Sequence, residues 1–90
     1  MQAPLDEVRQ KLGLRTVAEL GIVLGCRYHA IYNAVRGFAP IPKAAWGPLQ
    51  ELGVDLSALL EDQATFVAAR AAQLRAELKA RLAAPGEGLR

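Results

Sequence analysis

The sequence has little of what catalytic, metal-binding and disulfide-stabilised domains require. Its 90 residues include one cysteine, Cys26, and one histidine, His29. A lone cysteine excludes an internal disulfide, and these two side chains are too few for a zinc site, which takes three or four ligands. No glycine-rich phosphate loop is present, and no nucleophile is accompanied by a base and an orienting acid. We therefore expect no enzymatic activity, no metal and no cofactor.

Strand, membrane and export signals are also missing. No β-branched run alternates with polar residues over more than four positions, and no Asn-Gly or Asp-Gly turn occurs. No apolar run has the length of a membrane-spanning helix, and the N-terminus lacks the features of a secretory signal. Apolar types make up 52% of the residues and charged types 22%, which is typical of globular proteins. The sequence therefore predicts a small, all-α, cytoplasmic protein with no membrane association.

Apolar residues recur at helical spacing, and glycine and proline divide the chain into segments. Pro4 suits a first helical position, and Thr16-Val17-Ala18-Glu19 matches a capping box. The pattern predicts helices over 4–12, 16–24, 27–36 and 42–52, followed by a glycine-free and proline-free stretch, 56–84, that forms one helix or two. In the fourth helix we expect Trp46, Leu49 and Leu52 to point inward. We expect Pro48 to kink that helix, or to split it into a turn and a helix starting at 48.

The last helical stretch carries an apolar seam typical of a coiled coil. Its steps of three and four residues predict dimerisation through Leu60, Ala64, Val67, Ala71, Leu74, Leu78 and Leu82. Two alternatives stay open: the helix folds back on its own domain, or it docks onto a different protein. Residues 85–90 are predicted to be a disordered tail.

The order of residues from 5 to 60 resembles the lambda-repressor-like (Xre/Cro) helix-turn-helix family. The motif residues are Leu20, Gly21, Leu24, Gly25, Cys26 and Ile31, followed by Arg36-Gly37, Ile41-Pro42, Trp46 and the run from Gly53 to Leu60. Among its members, the chain looks closest to the DNA-binding domain of phage CI repressors. The resemblance implies a compact helix-turn-helix bundle of about five helices, with a DNA-binding domain at 1–60 and a dimerisation helix at 61–84. The chain departs from the family at Gly21, where alanine is favoured.

The third predicted helix carries the candidate reading face. The 31 residues from Leu20 to Gln50 contain no acidic side chain, although the whole chain is only +2. With Ile31 facing inward, the opposite face can contact base edges and phosphates. The candidate DNA-binding residues, by that face and by the family resemblance, are Thr16, Arg27, Tyr28, His29, Tyr32, Asn33, Arg36 and Lys43.

Individual roles and their alternatives follow from the side chains. Asn33 can pair with adenine through two hydrogen bonds, while Thr16 and Lys43 are candidate phosphate contacts. Tyr28 and Tyr32 can instead be an apolar pair packed on a neighbouring helix. Arg36 can instead serve only the negative end of its helix.

These observations predict a homodimeric, sequence-specific regulator of double-stranded DNA, of the phage or mobile-element repressor type, with a palindromic operator. One alternative is a protein-interaction adaptor, of the antitoxin or anti-repressor type, whose last helix binds a partner protein. Another is a DNA-packaging component with little sequence selectivity.

Overall fold

The computed structural model describes residues 3–83, and this part of the chain is all-helical. The predicted tail at 85–90, like Ala84, lies outside the described residues. The helices are α1 (Pro4–Lys11), α2 (Val17–Leu24), α3 (Tyr28–Val35), α4 (Trp46–Glu51) and α5 (Leu56–Ala83), and a 3₁₀ turn over Lys43–Ala45 precedes α4. The all-α class and the long C-terminal helix are thereby confirmed.

The first four helices and the start of α5 enclose one small apolar core. Every helix contributes to it, and the side chains without solvent exposure include Leu5, Leu20, Leu24, Ile31 and Leu49. Leu59, from the second turn of α5, also belongs to this core. Helices α1, α2 and α3 pack against one another. This packing buries the inner face of α3 and leaves its outer face exposed.

The fourth helix differs from the prediction. It begins at Trp46, and Pro48 occupies its first turn without kinking or restarting it. The first amides of a helix have no partner within it, so a proline at the third position removes no hydrogen bond. The split lies earlier, between the 3₁₀ turn and Trp46. The inward assignment of Leu52 was also wrong: it is the C-cap residue and is 46% exposed.

Helix α5 is continuous and extends well beyond the core. The Asp55 carboxylate caps its start by accepting the Ala58 N–H at 3.2 Å, and the helix runs for 28 residues. Residues 72–83 are all exposed, and the molecule measures 53 × 23 × 21 Å. Its outer half therefore projects from the domain. Neither α5 nor any other helix among residues 3–83 combines the length and apolarity that a bilayer crossing requires.

A close approach of two elements fixes the chain after α3. Gly37 is buried and adopts φ +82°, a left-handed conformation that glycine adopts without steric cost. A Cβ at this position would lie 2.8 Å from Cε2 of Phe66. Glycine therefore serves two purposes here: it turns the chain and lets the Phe66 ring of α5 pack against the backbone.

Candidate nucleic-acid interface

Helices α2 and α3 form a helix-turn-helix whose turn is only three residues long. Gly25 ends α2 in the left-handed conformation, φ +68°, and the Cys26 N–H donates back to the Gly21 carbonyl at 2.9 Å. A Cβ on Gly21 would lie 3.0 Å from Cγ2 of Ile31. Gly21 therefore lies where α2 packs tightly against Ile31 of α3.

The N-terminus of α2 is capped as the sequence predicts. The Glu19 N–H donates to Oγ1 of Thr16 at 3.1 Å, and the Arg15 N–H donates to Oε1 of Glu19 at 3.1 Å. The Thr16 hydroxyl also lies 3.5 Å from that carboxylate oxygen. The chain's own carboxylate thus lies beside the N-terminus of α2.

The outer face of α3 is open to solvent. His29, Asn33 and Arg36 are exposed, Tyr28 is half-exposed and Tyr32 is half-buried. On the inner face, Ile31 and Ala34 have no exposure, and Val35 is partly buried against the same core. The helical period alone produces this division, since residues 29, 33 and 36 recur at spacings of four and three. The exposed set contains donors, acceptors and a cation, and it has no carboxylate.

Planar side chains form a continuous stacked row that begins on this face at Tyr28 and ends at Arg70 of α5. The rings of Tyr28 and Tyr32 stack with centroids 5.5 Å apart and an interplanar angle of 25°. The Arg36 guanidinium carbon lies 5.5 Å from the Tyr32 centroid and 4.8 Å from that of Phe38. Arg70 of α5 lies over the same Phe38 ring at 5.5 Å.

The stacked row shows what Tyr28, Tyr32 and Arg36 contact, the three residues for which a purely structural role was the alternative to DNA binding. The two tyrosines stack on each other along the exposed surface of α3. His29 adds an edge contact to Tyr28, with centroids 6.1 Å apart. Arg36 donates to the Tyr32 hydroxyl at 3.4 Å, so its guanidinium is held over aromatic rings in a defined position. Stacked cations and rings of this kind lose little side-chain entropy when a ligand binds.

Three of the predicted contacts have free polar groups. Within residues 3–83, the side chains of Arg27, Asn33 and Lys43 make no hydrogen bond or ion pair. Arg27 is the N-cap residue of α3 without a side-chain cap bond, and Lys43 starts the 3₁₀ turn that follows Pro42. All three are exposed. Their donors and acceptors are therefore available to a ligand without the loss of an internal bond.

Gln63 was not predicted, and it connects α5 to the end of α3. It is 1% exposed, and its Nε2 donates to the carbonyls of Ala34 at 2.7 Å and Ala39 at 3.0 Å. The other end of the amide, Oε1, is buried without a partner in the described chain. A signal existed in the sequence: Gln63 is a polar residue three positions after Leu60 on the apolar side of the helix.

The predicted dimerisation residues lie along one stripe of α5, in two different environments. Leu60, Val67 and Ala71 are partly buried, whereas Ala64 is exposed. Leu74, Leu78 and Leu82 are 41%, 50% and 43% exposed. A groove of about 360 Å³ lies beside the inner residues, between α5 and the Pro40–Ile41 segment. The stripe thus begins inside the domain and continues as an uncovered row of leucines.

Cys26 lies in the turn, with its thiol 3.6 Å from the Leu24 carbonyl. Burial raises the pKa of the Cys26 thiol above its ordinary value. Among residues 3–83, no three Cys, His, Asp or Glu side chains are grouped so that they could hold a metal ion.

Comparisons with protein-family models, with curated proteins and with solved structures found no significant match to this chain.

Proposed function

We propose that the chain is a sequence-specific regulator of double-stranded DNA that places α3 in the major groove and binds a palindromic operator as a homodimer. The observation that carries the proposal is the outer face of α3. It presents a free amide, an imidazole, two tyrosines and a positioned arginine. No carboxylate is present in the sequence from Leu20 to Gln50.

The side chains on this face divide into base-reading and phosphate-binding groups. Asn33, whose amide has no internal partner, suits a bidentate pair with adenine, worth about 1–3 kcal/mol of discrimination. Tyr28, His29 and Tyr32 can contact base edges and thymine methyl groups, and Arg36 reaches the groove from its place on the Tyr32 ring. Such contacts give sequence preference.

Arg27 and Lys43 are the proposed phosphate contacts. Both are exposed cations without internal partners, at the start of α3 and just before α4. Contacts to phosphate supply affinity that does not depend on sequence and that falls with added salt. Thr16 is the least favoured of the predicted phosphate contacts, because its hydroxyl caps α2 beside the Glu19 carboxylate.

Selection of random duplex DNA by the purified protein, at two salt concentrations, tests the proposal. We expect an enriched palindrome whose half-sites have one fixed spacing. Asn33→Ala should relax the preference at one position in each half-site. Lys43→Ala should weaken binding to all duplexes and reduce the slope of log affinity against log salt by about one per binding site.

A control variant separates these roles from a general loss of folding. Gln50 is exposed on α4 and is not among the proposed contacts, so Gln50→Ala should leave affinity and preference unchanged. Binding without enrichment would refute sequence specificity and support the packaging alternative. No binding at the lower salt would refute DNA recognition altogether.

A second candidate function is the protein-interaction adaptor. The observation that favours it is the uncovered row formed by Leu74, Leu78 and Leu82, because large exposed apolar rows mark interaction surfaces. Sedimentation of the purified chain discriminates between the two. A stable homodimer supports the regulator, and a monomer that associates only with another protein supports the adaptor.

A further inference from the structure

One apolar surface runs along α5 from the groove to the end of the helix. The groove is lined by Leu60, Gln63, Ala64, Val67, Ala68 and Ala71 of α5 and by Pro40 and Ile41. The outer half of α5 continues the same stripe with Leu74, Leu78 and Leu82. Three of the six groove residues of α5 are alanines, whereas large side chains protrude from the outer half.

We infer that a second copy of this chain binds this groove with its own α5 in antiparallel orientation, so that Leu74 and Leu78 of each copy pack beside Ala71 and Val67 of the other. The inference rests on the homodimer of the proposed function and assigns its geometry. Only an antiparallel pair brings the leucine-bearing half of one helix against the alanine-bearing half of the other. A parallel pair would place the leucines against each other and leave both grooves open.

The spacing of the seam limits the register to steps of one heptad, and the register assigned is the one that brings Glu77 beside the partner's Arg70. Residues 64, 67, 71, 74 and 78 alternate in steps of three and four, as the a and d positions of a heptad do. In an antiparallel pair, each a position packs beside a d position of the other helix. Ala71 then packs beside the partner's Leu74, and Val67 packs beside the partner's Leu78. Each layer occurs twice because the pair is symmetric.

The charges that flank the seam favour the same orientation. In the antiparallel register, Glu77 lies beside the partner's Arg70, which makes two ion pairs of opposite charge. In a parallel register, Arg70 would lie beside the partner's Arg75, which makes two repulsive pairs. Glu77 is exposed and has no partner within residues 3–83. Arg70 is half-buried, and its Nη1 donates to Gln73, while its Nε is buried without a partner.

The register also sets how far apart along the paired helices the two domains of the dimer are attached. Gln63 and Leu59 mark where α5 meets the rest of the domain. At a rise of about 1.5 Å per residue, the two Gln63 residues of the dimer lie roughly 28 Å apart along the helix axis, and the two Leu59 residues roughly 40 Å apart. These distances bracket the spacing of half-sites one DNA turn apart, about 34–36 Å.

Disulfide trapping between two different chains tests the orientation. In a Cys26→Ser background, Val67→Cys and Leu78→Cys proteins are mixed while reduced and are then oxidised. We expect the mixture to form mixed disulfide dimers at least tenfold faster than either protein alone forms its own dimer. Ala71→Cys with Leu74→Cys repeats the test at a second layer, and exposed Ala69→Cys sets the rate of random collision. Circular dichroism confirms that each variant is folded.

Each outcome either supports or overturns the antiparallel arrangement of the two α5 helices. Fast linking of each protein with itself would establish a parallel pair and overturn the inference. Rates equal to the Ala69→Cys control would also overturn it and assign the groove to a different partner. Glu77→Arg should raise the dimer dissociation constant about tenfold, and the added change Arg70→Glu should restore it.

The trapping experiment uses no DNA, so it separates this inference from the proposed function. An enriched half-site without a palindrome would leave DNA reading intact and refute the dimer. Antiparallel trapping with no DNA enrichment would support the dimer and refute sequence-specific DNA recognition.

Discussion

The contact between Gly37 and Phe66 allows a stability prediction in which two costs are separated. Replacing Gly37 with alanine forces an L-residue to keep φ +82°, which costs about 1–2 kcal/mol. The new Cβ would also lie 2.8 Å from one ring atom of Phe66 and 3.1 Å from two others. Displacing a packed ring costs a further ~1–3 kcal/mol. We expect Gly37→Ala to lower the free energy of unfolding by about 2–5 kcal/mol.

The second variant, Phe66→Ala, isolates the steric part. Without the ring, Gly37→Ala should cost only the conformational term of about 1–2 kcal/mol. The two changes should therefore be non-additive, and the coupling energy equals the cost of moving the ring. Urea unfolding of the four proteins, followed by circular dichroism at 222 nm (roughly where helix signal is strongest), measures all four free energies. Equal costs in both backgrounds would refute the steric reasoning, and no cost in either would refute both parts.

Four further predictions address the cap, the buried amide and the turn. Thr16→Ala should lower the free energy of unfolding by about 1 kcal/mol, seen as a lower urea midpoint with an unchanged slope; no change would show that the Glu19 N–H finds another partner. Gln63→Ala should cost about 2–3 kcal/mol in the same assay, because it leaves a cavity and the Ala39 carbonyl without its donor. Gln63→Glu should be destabilised further as pH rises, because burial raises the pKa of the new carboxyl group in the folded state above its unfolded value. Stability is then greatest below the unfolded pKa and is lost as pH increases through the folded pKa. A loss of stability that is constant with pH would contradict this. Alkylation of Cys26 by iodoacetamide should be slower at neutral pH than that of a free thiol peptide, because the raised pKa of the thiol leaves less thiolate; an equal rate in the folded protein would contradict the burial argument.

Local signals in the sequence were sufficient for the first three helices, and they failed at the fourth. Thr16 and Gly25 bound α2 through a side-chain cap and a left-handed residue, and both act within four positions along the chain. The absence of glycine and proline predicted helix over 56–84 but left one helix or two open, and the structure has a single α5. Pro48 misled the prediction because its effect depends on its position within the helix, and that position is set by the preceding 3₁₀ turn.

The contacts that organise the candidate site depend on residues far apart in sequence. The exposed face of α3 follows from the helical period, so the exposure of His29 and Asn33 could be predicted from the sequence. The stacked row requires Phe38 to fold back beneath Arg36 and meet Arg70, which no spacing indicates. Gln63 bonds to carbonyls 24 and 29 positions earlier in the chain. Such pairings arise from tertiary packing: the sequence pattern marks Gln63 as a polar residue on the apolar side of α5, but it does not indicate which carbonyls the amide bonds.

The amide of Gln63 has a consequence for how tolerant DNA binding would be of altered operators. Many regulators join their reading and pairing elements by a flexible linker, which absorbs changes in half-site separation. Here Gln63 bonds the end of α3 to a helix that is unbroken from Leu56 to Ala83, so the two elements are joined without a flexible segment. One base pair inserted between half-sites would displace one of them by about 3.4 Å and rotate it around the duplex by roughly a tenth of a turn. In the proposed dimer the protein would have to bend α5 or release one half-site.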